Sequence, residues 1–332
     1  MKTMLGSILF SETAADTAEE ITVVTQYSDT RMPILSMIFL GLGILILLAV
    51  TIAGFLLLRK NFKNWGYALI AGFTAYLLFG YLVYMLAQVG LSKIPGIEDW
   101  AAANEKGYTM ILLVISVILE CLGVYLGMLY QVRNSEKKNL GLDIGSAIGF
   151  SLAYFTAAYV AAKQLSYSFE YILVGNTVNT SGFDTVISSL VSAGNTEEDS
   201  VEVLLALCTQ PAVNYLYEAI HYILLGVVTL LASVVFYGCM TEKLEKKWYA
   251  YGVLLTVCFG VPNVISTWAE LSTTLNLVLC ILILGAFAYI LWYFKKDYLK
   301  EELEGIRAAR DERNKRAYQE KHKKMPTIKM PD

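Results

Sequence analysis

Seven runs of apolar residues, each long enough to cross a bilayer, constrain this chain of 332 residues more than any other feature. A stretch of about 18 or more apolar residues with few charges reads as a membrane-spanning helix, because a helix satisfies its own backbone groups in hydrocarbon. The runs occupy 32–58, 65–90, 108–130, 142–162, 214–240, 248–268 and 271–294. Residues 166–177, SYSFEYILVGNT, are a shorter apolar piece that suits a re-entrant or interfacial segment, which would bring the membrane segments to eight. Period-two alternation is absent, so a β-barrel is not indicated. The expected fold class is all-α, a polytopic transmembrane helix bundle of about seven spans. Charged residues make up 17% of the chain, against roughly 25% in an ordinary soluble domain.

The placement of charge orients the bundle. Alternate linkers carry Arg59, Lys60 and Lys63, then Arg133, Lys137 and Lys138, then Lys243, Lys246 and Lys247, and the chain ends in a basic tail. These positions hold 21 of the 26 Lys and Arg residues. The opposite side is acidic, with Glu12, Asp16, Glu19 and Glu20, then Glu98, Asp99 and Glu105, then Glu197, Glu198, Asp199 and Glu202. The positive-inside rule therefore expects the N-terminus outside and the C-terminus in the cytoplasm, and an odd number of spans agrees. The expected organisation is an outside N-terminal segment (1–31), a transmembrane bundle (32–294) with a long outside loop (165–213), and a charged cytoplasmic tail (295–332). A short amphipathic helix is expected within that loop, around VEVLLALC. In the tail, Lys300 with Glu304, Arg307 with Asp311 and Glu312 with Arg316 stand four apart, as in a solvated helix. The expected location is the cell membrane as a multi-pass protein, a bacterial plasma membrane.

Ionisable groups within spans are costly and are functional candidates for that reason. Glu120 lies mid-span in the third run, and Glu218 and His221 share a helical face in the fifth, with Asn214 one turn before. Asn263 follows Pro262 in the sixth run, and Asp143 opens the fourth. Glu120, Glu218 and His221 are the catalytic candidates; Asn214, Asn263 and Asp143 are the binding candidates. Packing through interhelical hydrogen bonds competes with chemistry at each of them. The chain has only His221 and His322, so Glu218-x-x-His221 lacks the second such pair of a di-iron site and the further ligands of a zinc site. No metal and no cofactor is expected. Five cysteines without CxxC spacing read as small buried hydrophobes. Gly141, Gly145 and Gly149 give the fourth span a small-residue face on which another helix can pack closely. Gly260, Pro262 and Asn263 predict a local kink in the sixth.

The order of these pieces over residues 36 to about 290 resembles the YhfC-like integral membrane proteins of Firmicutes. Those proteins are grouped with glutamic-type intramembrane proteases and are distantly similar to CAAX proteases. The resemblance is carried by RKNFKNWGYALIAGFTAYLLFGYL, LECLGVYL, NLGLDIGSAIGFSLA, YEAIHYILLGVV and LLTVCFGVPN, in that order. It implies paired glutamates and an arginine in the third span, where this chain has Glu120, Cys121 and Val124. It implies a histidine and a glutamate at about Ile148 and Leu152, and a histidine at Phe259. A carboxylate needs a base's environment and an oxyanion donor to hydrolyse a peptide. The expectation is thus a pseudoenzyme, an intramembrane protease homologue that binds a peptide, a lipid or a membrane-protein partner within the lipid bilayer, and no nucleic acid. The alternatives are an active intramembrane protease with an altered site at Glu120, Glu218 and His221, and a transporter or transporter-associated subunit.

Overall fold

A computed structural model of the chain describes residues 29–62, 65–137, 143–269 and 272–323. Its regular structure is helical throughout these residues, and no strand occurs among them. The order is α1 (Ile34–Asn61), α2 (Trp65–Ser92), α3 (Ile97–Ala103), α4 (Glu105–Lys137), α5 (Ile144–Ser181), α6 (Phe183–Ser192), α7 (Glu197–Thr209), α8 (Ala212–Met240), α9 (Trp248–Ala269) and α10 (Thr273–Lys323). Seven of these, α1, α2, α4, α5, α8, α9 and α10, are long and apolar enough to cross a membrane. The protein is a polytopic transmembrane helix bundle. Its helices leave large apolar side chains uncovered, among them Leu45 at 65%, Ile70 at 67% and Leu282 at 63% exposure. Each such side chain favours an apolar medium over water by roughly 1.5–3 kcal/mol, so faces of this kind belong against lipid.

Residues 166–177 do not form a separate re-entrant segment; they continue the fourth span inside α5. Lys163 and Gln164, which lie between the two apolar pieces, are absorbed within the helix, where Gln164 Nε2 donates to Ser168 Oγ at 2.6 Å. Helix α5 ends at Gly182, whose φ of 98° is a conformation that favours glycine. The remainder of the long connection is also helical. Helix α7 contains VEVLLALC and is capped by Thr196, whose hydroxyl accepts from the Asp199 N–H at 3.1 Å. Glu197, Glu198 and Asp199 in its first turn suit the positive end of the helix dipole.

The chain divides into two compact units. One unit comprises residues up to Val50 together with Ala158–Ile223. Its core gathers Met32 and Leu40 from the start of α1, Val174 and Val178 from α5, Phe183, Ile187 and Leu190 from α6, Leu204 and Leu207 from α7, and Tyr215 from α8. Asn179 fastens the start of α1, accepting from the Met32 N–H at 2.9 Å and donating to the Met32 carbonyl at 3.0 Å.

The other unit comprises Thr51–Ala157 and residues from Leu224 onward. Here the small-residue face of α5 meets α2 as expected: a Cβ on Gly149 would lie 2.9 Å from that of Ala68, and one on Gly145 would run into the Phe62 ring. Gly141 lies outside the described residues. Helix α9 runs through Pro262 without losing its helical assignment. Helix α10 breaks at Lys295 (φ −132°, ψ 25°), after the exposed aromatics Tyr289, Trp292, Tyr293 and Phe294. Such a band of aromatics is typical of a membrane–water interface. Beyond the break, Glu302 pairs with Lys243 in the α8–α9 loop, Lys295 lies 3.5 Å from Glu245, and Tyr298 donates to the Val234 carbonyl at 3.3 Å. Within the tail, Lys300 with Glu304 and Arg316 with Glu312 pair as the spacing predicts, while Asp311 meets Arg310 at 4.0 Å.

Candidate functional site: a tyrosine and carboxylate cluster between two helices

The richest polar constellation lies within the first unit, where α5 and α8 run side by side in opposite directions. Tyr159 stacks on Tyr222 with centroids 6.1 Å apart, and Tyr171 meets the Tyr215 ring edge-on at 6.2 Å. Between these pairs, a Cβ on Gly43 of α1 would lie 3.1 Å from Ala219 and 3.2 Å from Gln164, so Gly43 lets three helices close together. The pairings step in opposite senses along α5 and α8, which fixes an antiparallel register.

A π-helical segment, Thr156–Leu165, supplies the α5 side of this register. At its start the Thr156 hydroxyl donates to the Leu152 carbonyl at 2.7 Å, and just beyond its end the Ser166 hydroxyl donates to the Ala161 carbonyl at 3.3 Å. Wide-turn insertions of this kind in helices are frequent at functional sites.

Glu218 of α8 accepts a hydrogen bond from the Tyr222 hydroxyl at 2.9 Å. Lys163 of α5 acts electrostatically on both Glu218 and His221, and its ammonium lies 5.0 Å from the centre of the Tyr159 ring. Tyr167 and Tyr171 each interact with two carboxylates, Glu218 and the buried Glu170. Gln164 is 2% exposed; its amide nitrogen is spent on Ser168, and its carbonyl oxygen has no hydrogen-bond partner. Leaving a buried acceptor unmatched costs about 1–3 kcal/mol. Asn214 is half-buried in the first turn of α8, its N–H donating to the Pro211 carbonyl at 2.9 Å.

The other candidates belong to the second unit. Glu120 is half-buried on α4 and interacts electrostatically with Tyr154 of α5. Tyr154 is fully buried and meets Tyr76 edge-on at 5.7 Å. Cys121 is buried, 8% exposed. The positions where the resemblance implies polar groups are filled by packing: Val124 and Phe259 are buried, and Leu152 lies against Gly54. Asn263 accepts from Asn276 Nδ2 at 3.0 Å and so clasps α9 to α10. Among the described residues, no group of three or more His, Cys, Asp or Glu side chains is placed to hold a metal ion.

Asp143 is the N-cap of α5, its carbonyl accepting from the Ser146 N–H at 2.9 Å. Burial raises its carboxyl above the ordinary value of 3.8, with Glu302 adding to the rise and the N–H groups of Ser146 and Gly145 and the charge of Lys243 opposing it. The folded protein therefore holds this proton more tightly than the unfolded chain does. The resulting contribution to stability is complete below the ordinary carboxylate value and is lost as pH rises through the folded value. In thermal unfolding from about pH 4 to 7, the parent midpoint should fall relative to that of Asp143→Asn. Parallel pH profiles for the two proteins would contradict this.

Comparison with protein-family models, curated proteins and solved structures finds no match. Lys163, Gln164 and Glu170 and the five tyrosines were not singled out by sequence reasoning. A usable signal was present: Tyr159, Lys163, Tyr167 and Tyr171 recur every four residues, and Tyr215, Glu218 and Tyr222 follow the same helical spacing.

Proposed function

We propose that this chain is a non-catalytic multi-pass protein of the cell membrane, N-terminus outside and C-terminus in the cytoplasm. It binds a lipid, a peptide or a membrane-protein partner through the tyrosine and carboxylate cluster between α5 and α8. The observation that carries this reading is the engagement of Glu218, whose carboxylate accepts from Tyr222 and faces the charge of Lys163. A carboxylate matched in this way by a donor and a cation is suited to hold a ligand-binding surface in shape. A general base for peptide hydrolysis needs free access to a water and an oxyanion donor beyond it. The apolar side chains at Val124, Leu152 and Phe259 point the same way, toward a relative of YhfC-like proteins that keeps the helices and not the chemistry.

The test uses purified full-length protein reconstituted into liposomes with an equimolar membrane-spanning peptide, followed by mass spectrometry. The peptide is expected to remain intact through long incubation. Cleavage that disappears in Glu120→Gln or Glu218→Gln would overturn the reading. Ion-coupled uptake of a solute, sensitive to Glu218→Gln, would replace it with a transporter.

A further inference from the structure

Beyond its break at Lys295, α10 continues as a charged arm that is fastened to the rest of the second unit near its root. Tyr298 is buried and donates to the Val234 carbonyl at 3.3 Å. It sits over Gly238 of α8, where a Cβ would lie 2.9 Å from the tyrosine oxygen. Glu302 pairs with Lys243, and Lys295 lies 3.5 Å from Glu245. Farther out, Leu303, Arg307, Arg310 and Lys315 are exposed, and the pairs of Arg310 with Asp311 and Arg316 with Glu312 stay within the arm.

Of the two partners in this fastening, the α8–α9 turn is the fixed one. The Thr241 N–H donates to the Tyr237 carbonyl and the Leu244 N–H to the Gly238 carbonyl, both at 2.9 Å, and Leu244 is buried. The arm is the element that can move, and its hinge is Lys295, whose backbone already departs from the helix. The seat beneath the latch is imperfect. Lys243 lies 5.4 Å from the centre of the Tyr237 ring, which is fully buried, and the Tyr237 hydroxyl has no hydrogen-bond partner among the described residues. A donor buried without a partner disfavours the arrangement that buries it.

The ion pairs therefore decide whether the arm stays down. The Glu302 side chain is 9% exposed and needs its cation, whereas that of Lys243 is 43% exposed. Salt reaches the pair from the lysine side, and the screening length falls from about 10 Å at 0.1 M to about 3 Å at 1 M. Once the attraction is screened, Glu302 regains full hydration by carrying the arm into water.

We propose that the arm is an ionic-strength-sensitive strap. It closes over the Val234–Gly238 strip of α8 when salt is low, and it swings out about Lys295 and uncovers that strip as salt rises.

The experiment follows hydrogen exchange of the full chain in nanodiscs at low and at high potassium chloride. Chloride is used because sulfate or phosphate would strengthen apolar burial and oppose release. Exchange across 296–303 should quicken about threefold in high salt, the range of a partly exposed ion pair, while α9 keeps its protection. Lys243→Met should open the strap at low salt, with exchange about tenfold faster, because it leaves Glu302 without its cation. Exchanging the charges, with Lys243→Glu and Glu302→Lys together, should restore protection and the response to salt. Glu302→Gln keeps the shape of the side chain without its charge, and its exchange should no longer respond to salt; this variant serves if the others fail to fold. Exchange across 296–303 that ignores salt in the parent overturns the proposal, as does a salt response that survives in Glu302→Gln. Equal quickening across α9 also overturns it, because the arm would then not move by itself.

Discussion

Gly72→Val should abolish the folded protein. A Cβ at residue 72 would run into the backbone carbonyl oxygen of Phe150 and lie 3.0 Å from Ala153 Cβ, so no side-chain rotation can make room. Helices α2 and α5 would have to separate, undoing the contacts of Ala68 with Gly149 and of Ala71 and Ala75 within the buried core. Overpacking ordinarily costs about 1–3 kcal/mol and more when backbone is the obstacle, against a total stability of roughly 5–15 kcal/mol. Gly41→Val and Gly285→Val are the matched controls, because a Cβ at either position meets nothing within 4 Å. In size-exclusion chromatography of detergent extracts, the Gly72 variant should lose its monodisperse peak while both controls retain theirs. A normal peak for Gly72→Val would contradict the α2–α5 packing.

Tyr215→Ala is expected to have the next largest effect, confined to the first unit. The ring is 1% exposed and its hydroxyl donates to the Leu207 carbonyl at 2.7 Å, tying α8 to the end of α7. Removing a buried aromatic side chain costs about 3–5 kcal/mol, and the orphaned carbonyl adds about 1–3 kcal/mol. Hydrogen exchange should show faster exchange across α6, α7 and the start of α8, with little change in α9. Tyr215→Phe isolates the hydroxyl and should produce a smaller change at the same peptides. Uniform protection in Tyr215→Ala would contradict the assignment of this ring to the core of that unit.

Much of the architecture was legible because hydrocarbon thickness sets helix length. The seven apolar runs became the seven long apolar helices, and the glycine spacing at Gly145 and Gly149 became a close helix contact. Residues 166–177 misled because Lys163 and Gln164 look like the end of a span. In three dimensions these side chains turn toward α8 and Ser168, so the helix passes through them. The break at Lys295 has neither Pro nor Gly to announce it; the pairing of Glu302 with Lys243 and the seating of Tyr298 against Val234 accompany it, and both depend on a partner 59 or more residues away.

The candidate site was half visible. Glu218, His221 and Asn214 stood out because charged and amide groups are rare in spans, whereas the tyrosines blended into an apolar background where packing is the ordinary role of a ring. Their convergence depends on the antiparallel register of α5 and α8, which no local pattern specifies. Asn263 shows the converse: its polarity within a span marked it as a binding candidate, and its partner is Asn276 on the neighbouring helix.

The central claim, a seven-span protein proposed to have its N-terminus outside and its C-terminus in the cytoplasm, is tested most directly by site-specific labelling. Cys121, Cys208, Cys239, Cys258 and Cys280 are replaced, and single cysteines are placed at the exposed positions Thr180 and Arg316. Intact cells are then treated with a membrane-impermeant maleimide. Thr180→Cys should label in intact cells, and Arg316→Cys only after permeabilisation. The reverse pattern, or labelling of both positions from one side, would contradict the proposed topology.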